Sequence, residues 1–125
     1  MHVISDEIYE YISYGEKHVS MASFEGMKHR VATVNGLSKG FAMTGWRIGF
    51  MGAPETLVKA CEKIQSQFTS GASSIAQRAA ISAVLAGPEK VSYMVDDFTI
   101  RRKILGGILK KAKYLNFIEP DVGSM

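Results

Sequence analysis

The chain has 125 residues, of which 46% are hydrophobic and 22% charged, and its net charge is +3. These fractions are typical of a globular domain and exclude a disordered, collagen-like or disulfide-scaffold chain. The one cysteine, Cys61, excludes an internal disulfide, and no Cys/His cluster has the spacing of a zinc site. No leader or membrane-spanning stretch is visible, so we expect a reducing, cytoplasmic setting without a membrane partner.

Apolar stretches in the first half of the chain predict three β-strands, at residues 2–5, 30–34 and 46–51. The first stretch leads directly into Asp6, and the second leads into the glycine-flanked turn 35–40. An apolar strand that delivers polar side chains at its carboxyl end is typical of a buried parallel strand that ends at a site. We therefore predict an α/β fold in which the three strands precede the first long helix.

The second half of the chain has the periodicity of helices. Pro54 suits the first turn of a helix, and apolar residues follow it at the spacing of one buried face, at Leu57, Val58, Cys61, Ile64 and Phe68. Ser74 and Gln77 stand in the capping-box relation and predict the start of a second helix. Gly87 and Pro88 predict its end.

Residues 89–113 form the longest periodic run and predict a third helix, with a bend at Gly106 and Gly107. The basic side chains of this run fall mainly opposite its apolar stripe, which indicates a solvated helix face and not a nucleic-acid surface. Residues 115–118 predict the start of another strand. The residues that follow, 119–125, contain no segment that we expect to pair with this strand.

Polar residues at the predicted strand ends have the chemistry of a cofactor site. Lys39 follows Ser38 in a turn after an apolar strand, and lysine amines act as Schiff-base nucleophiles when burial or nearby cations lower their pKa. Pyridoxal 5'-phosphate needs a lysine for its aldehyde, an acid for its pyridine nitrogen, a donor for its phenolic oxygen and an arginine for its phosphate. Asp6, Tyr9, Lys39 and Arg47 provide this set.

Two stretches carry a family resemblance: Ser5-Asp6-Glu7-Ile8-Tyr9, and the residues 35–49 with the run Lys39-Gly40-Phe41-Ala42-Met43-Thr44-Gly45-Trp46-Arg47. This pattern resembles the class I aminotransferases of the aspartate aminotransferase family, which are fold-type I pyridoxal-phosphate enzymes. The resemblance continues through Pro54 and residues 71–77, and so covers essentially the whole chain.

The resemblance implies a domain organisation. The chain would be part of the mostly parallel sheet of the fold-type I large domain, followed by helices that lead to the small domain. Residues 1–87 would form the C-terminal half of the cofactor-binding large domain. Residues 88–125 would form the connecting helix and the beginning of the small domain.

Matched residue by residue, the resemblance implies that Lys39 is catalytic: it holds the cofactor as a Schiff base and then moves a proton at the substrate Cα. Asp6 would keep the pyridine nitrogen protonated, Tyr9 would donate to the phenolic oxygen, and Arg47 would pair with the phosphate. Many relatives have a phosphate-binding serine three residues before the lysine, where this chain has Gly36. We assign Ser38 as the phosphate donor in place of that serine.

The resemblance also implies an activity, the transfer of an amino group from an aspartate-like amino acid to a 2-oxo acid. It implies a homodimer, with the loop 71–73 near the neighbouring active site, and neither a metal nor a nucleic-acid partner. Family members are longer, and their glycine-rich phosphate turn and carboxylate-binding arginine lie outside these residues. Two alternatives therefore stay open: a carbon–sulfur lyase of the same fold and a catalytically inactive fragment.

Overall fold

The computed structural model describes residues 1–15 and 17–123, which form a three-stranded sheet followed by three α-helices. The strands are β1 (Val3–Asp6), β2 (Val31–Gly36) and β3 (Gly49–Gly52), and the helices are α1 (Glu55–Phe68), α2 (Ser74–Ala86) and α3 (Ser92–Leu109). The α/β class and the order of strands before helices are confirmed.

The sheet has the order β1-β2-β3 and is mixed, not mostly parallel, among the described strands. Strands β1 and β2 are parallel, and Asp6 lies beside Val34. Strands β2 and β3 are antiparallel, and Asn35 lies beside Phe50. The connection between β2 and β3 contains turns but no crossover helix, so the chain reverses direction and returns along the edge of β2.

The third strand begins later than its apolar pattern predicts. Residues Thr44–Trp46 form a 3₁₀ turn, and β3 covers only Gly49–Gly52. Arg47, between them, has a φ of 52° and a ψ of 50°, in the left-handed region. An extended strand cannot pass through that conformation, so the prediction of a strand from residue 46 was wrong at its start.

Helices α1 and α2 lie where they were predicted, but the predicted capping box is absent. The residue that precedes the first turn of α2 is Ser73, not Ser74, and its side chain makes no cap hydrogen bond. The Gln77 amide instead donates to the carbonyl of Ala72 at 2.8 Å. Gly87, with a φ of 81°, ends α2 as predicted, because this left-handed conformation favours glycine.

Helix α3 runs without interruption through Gly106 and Gly107, and the predicted bend stays a prediction. Gly106 is buried, and a side chain there would lie 3.9 Å from the Phe117 ring and 3.7 Å from Glu119 Oε1. A Cβ at these distances is in ordinary van der Waals contact, so the packing of the chain after the helix does not require a glycine here.

The predicted strand at residues 115–118 is absent, and the chain pairs further on. Ser13 and Val122 form an antiparallel bridge. On either side of it, Tyr14 N donates to Asp121 O at 2.8 Å and Gly123 N donates to Ile12 O at 3.0 Å. Residues 121–123 therefore pair with the segment 12–14, which the sequence pattern did not predict. Positions 124 and 125 lie outside the described residues.

The core lies around β2 and contains Ile12, Val31, Ala32, Leu37 and Ala76. The apolar face predicted for α1 remains open, since Ile64 is 62% exposed and Phe68 is 84% exposed. Cys61 is half-buried on the same helix. Three short strands do not have the area to cover the helices. No helix in residues 1–15 and 17–123 has the length and apolarity needed to cross a membrane.

Candidate active site

The parallel pairing of β1 and β2 brings the ends of both strands to one edge of the sheet. Asp6 is the last residue of β1, and the turn that follows it contains Tyr9. Lys39 lies in the turn after β2, and its Nζ is 5.8 Å from the centre of the Tyr9 ring. The amine of Lys39 therefore lies at the same edge of the sheet as the Tyr9 phenol and the Asp6 carboxylate, which are distant from it in the sequence.

The turn that carries Lys39 is held by its own backbone. Ala42 N donates to Lys39 O at 3.1 Å, and Met43 N donates to the carbonyl of the buried Leu37, also at 3.1 Å. Lys39 is half-buried and borders a cavity of about 240 Å³, lined by Ile12, Ser38, Lys39, Ala42, Thr44, Met94 and Phe98. Ser38 and Lys39 thus share one cavity, and α3 forms part of its wall.

Asp6 is exposed, and its Oδ1 accepts a hydrogen bond from the backbone N–H of Ile8 at 3.2 Å. This bond uses one lone pair of the carboxylate and orients the group against the turn that holds Tyr9. The remaining lone pairs of the Asp6 carboxylate can accept a hydrogen bond from a protonated ring nitrogen.

Arg47 lies apart from the lysine cavity. Its guanidinium donates to the carbonyl of Thr44 at 3.0 Å, and the side chain is exposed. It borders a separate cavity of about 460 Å³, between residues 45–47 and the segment 71–76. The structure therefore places the loop 71–73 beside Arg47 of the same chain, and it does not bring Arg47 and Lys39 into one cavity.

The backbone around Gly36, the position for which the resemblance leads us to expect a serine, leaves little room for a side chain. A Cβ at this position would lie 2.9 Å from Ile48 O and 3.0 Å from the Cα of Gly49. Both are backbone atoms of the segment that pairs with β2, and they cannot move independently. A serine does not fit here in the present backbone. Ser38 is half-buried on the lysine cavity.

Sequence reasoning missed the role of Glu7, whose side chain is only 3% exposed. Its Oε1 accepts hydrogen bonds from Ser5 Oγ and Ser20 Oγ, both at 2.9 Å, and from Met21 N at 3.1 Å. Its Oε2 lies 3.0 Å from His18 Nε2. Desolvation raises the pKa of Glu7, but the hydrogen bonds from His18, Ser20, Ser5 and Met21 outweigh it and lower the pKa below its ordinary value.

In this network the ring nitrogen of His18 is paired with a buried carboxylate. The one signal in the sequence was register, since Ser5 and Glu7 lie two residues apart in an extended segment and share a face. A second missed contact joins Asn35 and Glu10 at 2.8 Å.

The donor set fits pyridoxal phosphate in chemistry. A half-buried amine stands beside a phenol, and a carboxylate with free lone pairs ends the neighbouring strand. Within residues 1–15 and 17–123, no three His, Cys, Asp or Glu side chains gather as a metal site. The amine, phenol and carboxylate are the groups that hold an aldehyde, a phenolic oxygen and a ring nitrogen.

An α/β sheet with this set of groups at its strand ends has the chemistry expected of the class of pyridoxal-phosphate enzymes. The whole chain, residues 1–125, matches the family model "Aminotransferase class I and II", and the chain belongs to this family, which depends on pyridoxal phosphate. Among solved structures, the chain is similar to the aspartate aminotransferase of Rhizobium meliloti, with a TM-score of 0.92 and 38% identity. The match covers 98% of this chain and 31% of that one.

Curated plant relatives are similar over most of the chain. One is the bifunctional aspartate aminotransferase and glutamate/aspartate-prephenate aminotransferase of Petunia hybrida, which is 57% identical over 107 residues. Another is the aspartate aminotransferase of Pinus pinaster, which is 55% identical over 107 residues. Each match covers 82% of this chain and 22% of the relative, so the chain spans about a fifth of the length of these proteins.

Proposed function

We propose that this chain provides the lysine-bearing part of a pyridoxal-phosphate-dependent aminotransferase that moves an amino group from an aspartate-like amino acid to a 2-oxo acid. The observation that carries the proposal is the position of Lys39 Nζ, 5.8 Å from the centre of the Tyr9 ring at the shared edge of β1 and β2. The preference for an aspartate-like substrate is supported by the names of the similar plant and bacterial proteins.

Each residue has a role that follows from its chemistry. Bound pyridoxal phosphate supplies an electron sink for a substrate carbanion. Lys39 Nζ would hold the aldehyde carbon and, once the substrate amine has displaced it, would move the proton of the substrate Cα. The Asp6 carboxylate would keep a proton on the ring nitrogen, and the Tyr9 hydroxyl would donate to the phenolic oxygen. Ser38 would donate to the phosphate from the lysine cavity, and Arg47, which borders a separate cavity in this structure, would pair with the phosphate as the family resemblance implies.

We further propose that the working protein is a cytoplasmic homodimer. The dimer is what the family resemblance implies, with the loop 71–73, which is exposed in this chain, near the neighbouring active site. The amino-acid and 2-oxo acid substrates would enter beside this loop. The boundary between large and small domain near residue 87 stays a prediction.

The proposal is tested by adding pyridoxal phosphate to the chain and recording the visible absorbance. Borohydride then fixes the cofactor, and peptide mass spectrometry locates it. We expect label on Lys39, loss of the band in Lys39→Ala, and an unchanged band in Lys28→Ala, which removes an exposed lysine. Equal bands and labelling in wild type and Lys39→Ala would refute the site.

A second measurement separates the possible chemistries. An aminotransferase loses the visible band when an aspartate-like amino acid is added, and a 2-oxo acid appears. Release of pyruvate and ammonia from a cysteine-type substrate would indicate a carbon–sulfur lyase. A stable band with neither product would indicate a chain that binds the cofactor without turnover.

A further inference from the structure

A hydrogen bond between two side chains joins the two segments that carry the candidate site. Asn35 Nδ2 donates to Glu10 Oε1 at 2.8 Å. Glu10 directly follows Tyr9, and Asn35 lies in β2, shortly before Lys39. The segments that hold Tyr9 and Lys39 are therefore connected by this hydrogen bond as well as by the contact between Tyr9 and Lys39 themselves.

Asn35 is the fixed member of this pair. Its side chain is buried, with the residue 8% exposed, and its Oδ1 accepts the N–H of Gly36 at 2.7 Å. Its backbone pairs with Phe50 in β3. A buried amide N–H without an acceptor is costly, so the Asn35 Nδ2 group keeps its hydrogen bond to the acceptor that faces it. That acceptor is the carboxylate of Glu10.

The turn that contains Glu10 is also ordered on its far side. Glu10 N donates to Glu7 O at 3.0 Å, which closes the turn after β1. The next residue, Tyr11, packs edge-on against Phe41, with ring centres 5.5 Å apart. The contact between Tyr9 and Lys39 is therefore flanked by a charge-assisted hydrogen bond and by an aromatic pair.

We propose that Asn35 and Glu10 are positioning residues that set the place of the Tyr9 ring relative to the Lys39 amine. The consequence for the cofactor rests on the proposed function: a phenol and an amine held at a constant separation would bind pyridoxal phosphate together. Neither Asn35 nor Glu10 is assigned contact with a reacting atom. The carboxylate accepts a stronger hydrogen bond than a neutral group, and an amide at position 10 keeps the acceptor but not the charge.

The test uses the 125-residue chain without cofactor. A methylene group near the face of an aromatic ring has a ring-current shift in its proton resonance, so nuclear magnetic resonance of the Lys39 ε-protons reports their position over Tyr9. Tyr9→Leu provides the value without the ring. We expect Asn35→Ala and Glu10→Ala to lose most of the shift and Glu10→Gln to keep most of it.

The inference is overturned if folded Glu10→Ala keeps the wild-type shift, or if Glu10→Gln loses as much of it as Glu10→Ala. Glu10 is only half-buried, so its variants stay informative even if Asn35→Ala does not fold. Glu62→Ala, which removes an exposed carboxylate on α1, serves as the control and keeps the full shift.

A second readout is the affinity of Lys39 for pyridoxal phosphate. Loss of a hydrogen bond to a charged group predicts roughly tenfold weaker binding in Glu10→Ala, with recovery in Glu10→Gln. If the wild-type chain takes up no cofactor at Lys39, the proposed function fails while the resonance shifts still decide the positioning role. Cofactor uptake at Lys39 together with unchanged shifts in the variants refutes the positioning role and leaves the function intact.

Discussion

The guanidinium of Arg102 lies over the ring of Tyr14, 5.0 Å from its centre. The same side chain donates from Nε to Pro120 O at 2.6 Å, and it lies 3.7 Å from the Asp121 carboxylate. Tyr14 in turn donates its hydroxyl to the carbonyl of Gly123. Arg102 therefore joins α3, the segment 12–14 and the chain after the helix into one cluster.

Arg102→Ala should lower the free energy of unfolding by about 1–3 kcal/mol, because the cation–π contact and the hydrogen bond to Pro120 are lost together. The side chain is only 15% exposed, so water does not replace these contacts fully. Arg101→Ala is the matched control, since Arg101 is 61% exposed and its ion pair with Asp97 is long, at 3.8 Å. Urea unfolding measures both, and equal midpoints would contradict this role.

Gly36→Ser, which introduces the serine of many relatives, should destabilise the chain by about 1–3 kcal/mol. The added Cβ would lie 2.9 Å from Ile48 O, and relief requires β3 to move away from β2. Gly45→Ser is the control, because the space around Gly45 is open. Urea midpoints again decide, and a Gly36→Ser chain as stable as the wild type would show that the two strands separate easily.

The elements whose signals are local could be predicted from the sequence. Pro54 and the apolar spacing after it were enough for α1, and Gly87 was enough for the end of α2. The start of β3 was misplaced because the left-handed backbone of Arg47 has no signature in residue type.

The same division holds for the site. The motif around Lys39 and the acid and tyrosine after β1 pointed to the residues, and parallel pairing explains why Tyr9 and Lys39 meet. The partners of Glu7 could not be predicted, because His18 and Ser20 reach it through an irregular segment. Hydrogen bonds across such a segment depend on its path, which periodicity does not describe.

Glu7 should make stability depend on pH on the acid side. Its pKa is lowered in the folded chain, so it stabilises the fold above its ordinary value of 4.5, and this contribution is lost as the pH falls through the lowered value. Glu7→Gln should therefore cost about 1–3 kcal/mol at pH 7 and less at pH 3. Glu25→Gln, at an exposed position, is the control. Parallel stability profiles for wild type and Glu7→Gln between pH 7 and pH 3 would contradict this account.

The backbone of Arg47 is held in a costly conformation, and substitutions at this position should reveal that cost. A non-glycine residue in the left-handed region costs about 1–2 kcal/mol, so Arg47→Gly should be more stable than Arg47→Ala by about 1 kcal/mol. At Arg101, within α3, the order should reverse by about the same amount, because glycine is the poorer helix former. Urea unfolding of the four variants measures both differences.

Both Arg47 variants should also lose the preference for pyridoxal phosphate over pyridoxal, which differ only in the phosphate. If the guanidinium binds the phosphate, both variants lose the preference. Backbone strain is not the cause of this loss, because Arg47→Ala keeps the strained backbone and Arg47→Gly relieves it. If the preference survives in both variants, other donors bind the phosphate, and Ser38 is the next residue to mutate. The two measurements therefore report different properties of Arg47. Its backbone conformation determines the difference in stability, and its guanidinium determines the preference for pyridoxal phosphate.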